Sequence, residues 1–264
     1  MSDSIVINTT KKRRVWEVDF IRGFCMLFVI WDHLMYDFGM IFLFDFSTPV
    51  GQAIGRFARE YWYSGIRAAT HDYFVGAFVV VSGLSTVFSK NNWIKALKVF
   101  AAAMVVTLAT HVATETGMVS GVVINYGVLH MLATCGIVYC VLKALRVPDW
   151  MIFVLGVAAL TLGFYFESVN LREPIGLIFL FENMSARGWS PGDFFPLMPW
   201  LGWFLLGAVL GNLLYKDKST RLGFVNEKFV SPVTFVGRHS LLFYLLSQGI
   251  GVALLFILVT LGWL

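Results

Sequence analysis

Apolar runs of about twenty residues recur along the whole of this chain, and a run of that length suits one structure above others, an α-helix crossing the ~30 Å hydrocarbon core of a bilayer. Charge content agrees. Only 14% of the 264 residues are charged and 58% are hydrophobic, whereas soluble domains carry about a quarter charged residues. A membrane β-barrel would show short segments of strict alternation, and this chain shows none. The sequence therefore reads as an all-α, polytopic membrane helix bundle.

Seven spans are expected: about Val18 to Phe42, Asp72 to Phe88, Trp93 to Ala113, Val119 to Leu145, Asp149 to Phe166, Leu197 to Tyr215, and Ser240 to Leu264. The first is longer than the apolar core of a leader peptide and carries charges, so it reads as a span and not as a cleaved signal. With the N-terminus cytoplasmic, fourteen lysines and arginines fall on the cytoplasmic side and five on the other. That is the positive-inside bias. It accounts for the net charge of +4 without a nucleic-acid partner. Residues 1–17 read as a basic cytoplasmic tail and residues 18–264 as a single transmembrane domain, with no internal repeat.

Two outward segments are long, Leu43 to His71 and Glu167 to Pro196. Loops of about 30 residues are uncommon unless they bind or cover something. Both mix aromatic and charged residues, so short interfacial or re-entrant helices are expected there. The three cysteines, Cys25, Cys135 and Cys140, all fall inside apolar spans, which suits small core residues better than a disulfide framework or a CxxC metal site. No P-loop or HExxH spacing occurs.

The first span reads DFIRGFCMLFVIWDHLMYDF and holds Asp19, Arg22, Asp32, His33 and Asp37. Ionisable groups in a membrane helix are costly and face the bundle interior or water. Arg22 and His33 are eleven residues apart, which on an α-helix leaves them about 20° apart in azimuth and ~16 Å apart along the axis. Asp19 and Asp37 fall on the same side, and Asp32 points elsewhere. Asp37 follows His33 by four residues, a spacing at which side chains meet. A carboxylate on one ring nitrogen fixes the tautomer and raises the basicity of the other, which is what a general base needs. The plainer alternatives stay open: Arg22 snorkelling to headgroups, and His33 as a satisfied core histidine.

The spacing R-x10-H resembles the motif of membrane acyltransferases that O-acylate bacterial surface sugars. The wider stretch VDFIRGFCMLFVIWDHLMYDF more closely resembles bacterial relatives of heparan-α-glucosaminide N-acetyltransferase, as do HDYFVGAFVVVSGLS (71–85), NYGVLHMLATCGI (125–137), GDFFPLMPWLGWFLLGAVLG (192–211) and GRHSLLFYLLSQGI (237–250). Relatives commonly carry His-Gln where this chain has Ser247-Gln248. The resemblance implies an integral protein of the bacterial inner membrane that moves an acetyl group from cytosolic acetyl-CoA to an amine or hydroxyl of a sugar or envelope acceptor, with no metal. Homo-oligomerisation stays open. The heparan enzyme has its proposed catalytic histidine about ten residues ahead of an aspartate like Asp72. This chain reads Tyr61-Trp62-Tyr63 there, so the resemblance passes that role to His33.

On this reading the catalytic set is His33, Asp37, Asp72 and Arg22. His71 and Asp72 open the second span near the depth of His33, with Asp72 either a helix cap or a partner for a histidine. Tyr126 and His130 sit at i and i+4 with Thr134 one step on, and together with His71 and Asp193 are expected around the acceptor. Asp193 is either a loop cap or an acceptor-site carboxylate. Ser82 and Gly83 allow close helix packing or passage of a thin pantetheine arm. The phosphates of CoA are expected among Arg22, Lys90, Lys95, Arg238 and His239, where a helix N-terminus at Ser240 also favours anions. A small transporter or channel using the Arg/His/Asp stripe as a proton or solute path is the rival reading, although transporters commonly show repeats.

Overall fold

The computed structural model describes residues 15–42, 45–117, 123–169, 193–222 and 227–264. Among these, the chain is a bundle of α-helices with one isolated backbone bridge, between Tyr126 and Phe194. In chain order they are α1 (Trp16–Tyr36), α2 (Pro49–Trp62), α3 (Gly65–Leu84), α4 (Asn92–Glu115), α5 (Val128–Ala144), α6 (Asp149–Val169), α7 (Trp200–Leu214), α8 (Glu227–Arg238) and α9 (Ser240–Thr260). A π-helical turn, Asp37–Ile41, extends α1. Helices α1, α3, α4, α6 and α9 are long and apolar enough to cross a membrane, and α5 and α7 are shorter apolar helices. Each of these seven helices overlaps one of the seven apolar runs, and five of them have the length of a span.

Local chemistry sets the helix starts. Thr48 accepts a hydrogen bond from the Gly51 amide with Pro49 in the first turn, Ser64 accepts from the Arg67 amide, and Asn91 accepts from the Ile94 amide. The Ser64 cap starts α3 seven residues before Asp72, so Asp72 lies inside that helix and does not cap it. The fourth apolar helix starts at Val128, later than the expected Val119, because residues 123–127 run in non-helical backbone up to Gly127. Residues 65–71 of the first long segment open α3, and helix α2 lies before them. Its Gly51, Gly55 and Ala58 are buried, and the backbone of Ala58 and Arg59 lies directly on Gly39 of the π turn. Most of the second long segment, residues 170–192, lies outside the described residues, as do residues 1–14 of the basic tail.

Two close helix contacts hold the bundle, both built on small residues, as is common where helices pack without water to drive them. In α3 against α7, Gly83 lies on the Phe204 carbonyl, Gly207 on that of Val80 and Gly211 on that of Leu84. In α1 against α8, Gly23 lies on the Val233 carbonyl and Gly237 on that of Asp19. Helix α8 was not expected; its region reads as a basic connection, and Pro232 sits inside it. The main core lies where α3, α5, α6 and α7 meet, around Val79, Met131, Ile152 and Leu205. Leu242, Leu246, Ile250 and Leu254 of α9 are exposed, the face a bilayer covers.

Candidate active site

A cavity of about 900 Å³ opens among α1, α3, α4, α5 and α9. Its wall carries Asp19, Arg22 and Met26 from α1, Phe78 and Ser82 from α3, Lys95 and Val99 from α4, Leu129, Leu132 and Gly136 from α5, and Leu241 and Tyr244 from α9. Lys90, Lys98, Lys218 and Arg238 also line it, towards the N-terminal end of α1. Six cations therefore face Asp19, which makes the chamber strongly attractive to an anion. Asp19 accepts from Arg22 Nη1 at 3.3 Å and from Arg238 Nε at 3.3 Å, joining α1 to the end of α8. Lys95 reaches across to the end of α3, donating to Ser85 Oγ at 2.6 Å and to the Ser82 carbonyl at 3.3 Å.

Of the residues expected to hold CoA, Arg22, Ser82, Lys90, Lys95 and Arg238 share this wall. His239 is exposed, its Nδ1 against the Phe235 carbonyl at 2.9 Å, and it is not on the wall. Ser82 faces the cavity while its neighbour Gly83 packs on α7, the close helix packing that was one of the two uses expected of that pair.

The inner end of the chamber reaches Tyr244, whose ring stands edge-on to that of His33 with centroids 5.7 Å apart. His33 is half-buried, and its Nδ1 is buried with no hydrogen-bond partner among the described residues. The direct bond expected from Asp37 to His33 does not form. The helix switches to the π turn at Asp37, and the carboxylate turns onto α9, where Gln248 Nε2 donates to Oδ1 at 2.7 Å. Asp32, off the stripe, is spoken for by two other elements: Arg67 donates to both its oxygens, at 3.0 and 2.8 Å, and the Tyr61 hydroxyl donates at 3.2 Å. Arg67 also lies over the Trp62 ring at 3.5 Å.

His71 and Asp72 pair with each other at 2.9 Å, with Asp72 largely exposed. His71 stands within electrostatic reach of both His33 and Asp193, and Asp193 within reach of Tyr244. His33, His71, Tyr244 and Asp193 thus form one neighbourhood. Burial pushes the Asp193 carboxyl up to about 6, although the Val128 amide and His71 pull the other way. Asp193 is a cap, but for a helix distant in sequence: its Oδ2 accepts from the Val128 amide at 3.2 Å and so closes the start of α5.

His130 makes bonds at both nitrogens. Nδ1 accepts from the Gly127 amide at 3.3 Å, which puts the proton on Nε2, 3.2 Å from Thr107 Oγ1, whose own hydroxyl donates to the Ile124 carbonyl. Tyr126 precedes α5, yet its hydroxyl still reaches Thr134 at 3.1 Å, and its ring lies 5.8 Å from that of His130. This group ties α4 to the start of α5 and leaves His130 without a free nitrogen.

Tyr244 and Gln248 were not among the expected site residues. The signal was present, because they lie four apart on the apolar α9 and share a face. Asp32, Arg67 and Tyr61 form a bracket across three elements, which no periodicity within one segment reports.

A bundle of apolar helices around a basic chamber, with Tyr244 on its wall and His33 behind that ring, is the build of an integral membrane protein. The family described as heparan-α-glucosaminide N-acetyltransferase, catalytic, matches residues 14–249. The chain belongs to that family of membrane acetyltransferases. No curated protein and no solved structure matches it.

Proposed function

We propose that the protein transfers an acetyl group from cytosolic acetyl-CoA to an amine or hydroxyl of a sugar or envelope acceptor. The observation that carries this is the basic chamber ending at Tyr244, against the ring of His33. A long anionic donor suits a chamber with cations at one end and an apolar throat of Phe78, Leu129 and Leu132. On this reading the basic end faces the cytosol and the N-terminus is cytoplasmic, in line with the positive-inside bias.

Arg22, Lys90, Lys95 and Arg238 would take the phosphates, since charge-assisted hydrogen bonds to phosphate are stronger than neutral ones. Ser82 would line the path of the pantetheine arm. The thioester would then lie at Tyr244. His33 Nε2 would remove the acceptor's proton as its oxygen or nitrogen attacks the thioester carbonyl. The carbon–sulfur bond breaks, and the CoA thiolate leaves with the proton returned from His33. His71 and Asp72 would meet the acceptor on the far side, with Asp193 and Tyr126 behind them. Attack by His33 itself, giving an acetyl-histidine, is the covalent variant.

The test is acetyl-CoA binding and turnover by the purified full chain, with D-glucosamine as acceptor, beside His33→Ala. Retained CoA binding with lost turnover in the variant supports the reading. Wild type that neither binds acetyl-CoA nor turns it over refutes it.

A further inference from the structure

The Gln248 side chain has no place in the transfer as described, yet it sits in an unusual cluster. His33 and Asp37 are one turn apart on the far half of α1, and Tyr244 and Gln248 are one turn apart on α9. Tyr244 faces His33, and Gln248 bonds Asp37. The two pairs therefore form the two rungs of one ladder between the helices.

Three buried atoms on this ladder have no hydrogen-bond partner among the described residues: Nδ1 of His33, Oδ2 of Asp37 and Oε1 of Gln248. Buried polar side-chain atoms in folded proteins nearly always have one. The backbone is also irregular here, with the π turn beginning at Asp37, and such turns are frequent at functional sites. Gly251, on the same stretch of α9, borders the carboxylate: a Cβ there would stand in ordinary contact, 3.5 Å from Asp37 Oδ2.

A buried water typically makes about three hydrogen bonds to groups that would otherwise lack them. One water matches the donors and acceptors of this set. It accepts from Nδ1–H of His33 and gives its two hydrogens to Asp37 Oδ2 and Gln248 Oε1. That arrangement places the imidazole proton on Nδ1 and leaves the lone pair on Nε2, the tautomer a base needs.

We propose that Gln248 is a positioning residue for His33, holding Asp37 through its amide and completing, with one bridging water, a chain that fixes the ring and tautomer of the base. The inference rests on acyl transfer with His33 as base. In the chain no proton changes hands: the acceptor's proton goes to Nε2 and on to the leaving thiolate, while Nδ1–H keeps donating to the water.

The experiment uses the full chain in detergent, acetyl-CoA as donor and D-glucosamine as acceptor, with Gln248→Glu, Gln248→Met and Gln248→His. Glu keeps the shape and loses the donor, Met keeps the bulk alone, and His keeps an N–H donor. Glu and Met should lower kcat about tenfold to hundredfold, part of the ~10²–10⁴ that a positioned base contributes, while the Kd for CoA and the KM for D-glucosamine stay at wild-type values. His should restore most of the rate. Gln248→Glu at full wild-type turnover overturns the proposal alone. A loss of rate matched by a loss of CoA affinity or of thermal stability assigns Gln248 to packing and overturns it as well. Wild type without acetyl-CoA turnover fails earlier and removes the acyl-transfer reading on which it rests.

Discussion

The Asp32 carboxylate of α1 takes both arms of the Arg67 guanidinium of α3, at 2.8 and 3.0 Å, and both side chains are largely buried. With the Tyr61 hydroxyl on the same carboxylate, this bracket fixes α2 and the start of α3 beside the turn of α1 that carries His33. Removing one partner of a buried pair strands the other and costs about 3–5 kcal/mol. Asp32→Ala should therefore lower the melting temperature strongly and cut turnover through misplaced helices. Asp32→Asn, which keeps acceptor and shape, should do less. Thermal melts of the detergent-solubilised variants check the order.

The α3–α7 contact is a second point of failure. A Cβ at Gly207 would run into the Val80 carbonyl, which is backbone and cannot swing aside. Gly207→Leu should separate the two helices and leave little monodisperse protein on size-exclusion chromatography. At Gly249, where a Cβ meets nothing, alanine should be tolerated.

The chamber's cations make a prediction about salt. Lys95 is held by Ser85 Oγ and the Ser82 carbonyl, neutral oxygens on the chamber wall where a phosphate would also reach its ammonium. Lys95→Met should weaken CoA binding about tenfold, ~1.4 kcal/mol. It should also flatten the dependence of affinity on ionic strength, because fewer charges are left to screen. Calorimetric titrations at two salt concentrations check both.

Asp193 gives a pH dependence whose sign follows from its burial. Its folded value, about 6, lies above the ordinary 3.8, so between these values the folded protein holds a proton that the unfolded chain has released. Stability tied to this group is fully present below 3.8, falls as pH rises through that window and levels off above about 6. Asp193→Asn keeps an oxygen for the Val128 amide and cannot titrate. The melting temperature of that variant should lack this decline between pH 4 and 6.

The apolar helices are legible in the sequence because hydrophobicity runs along the chain in stretches of helical length, which context does not hide. The ends are less so. Ser64 begins α3 ahead of a polar turn containing Arg67 and His71, which hydropathy alone places outside the span. Helix α8 carries a proline and charged ends, so its packing on α1 through Gly23 and Gly237 is tertiary information. The stripe of Arg22, His33 and Asp37 follows from helical phase. The partner of Asp37 does not, since Gln248 comes from 211 residues away and the π turn redirects the carboxylate. His130 shows the reverse case. It reads as a candidate ligand residue from its neighbours Tyr126 and Thr134, and in the fold its nitrogens are taken up by Gly127 and Thr107.

The central claim is that the basic chamber delivers acetyl-CoA to His33. Its most direct measurement is the rate of CoA release from acetyl-CoA, with D-glucosamine present, by wild type and His33→Ala at matched CoA occupancy. The account predicts bound CoA in both proteins and a fall in rate of about a hundredfold or more in the variant, the scale of a lost general base. Equal rates in the two proteins would contradict it.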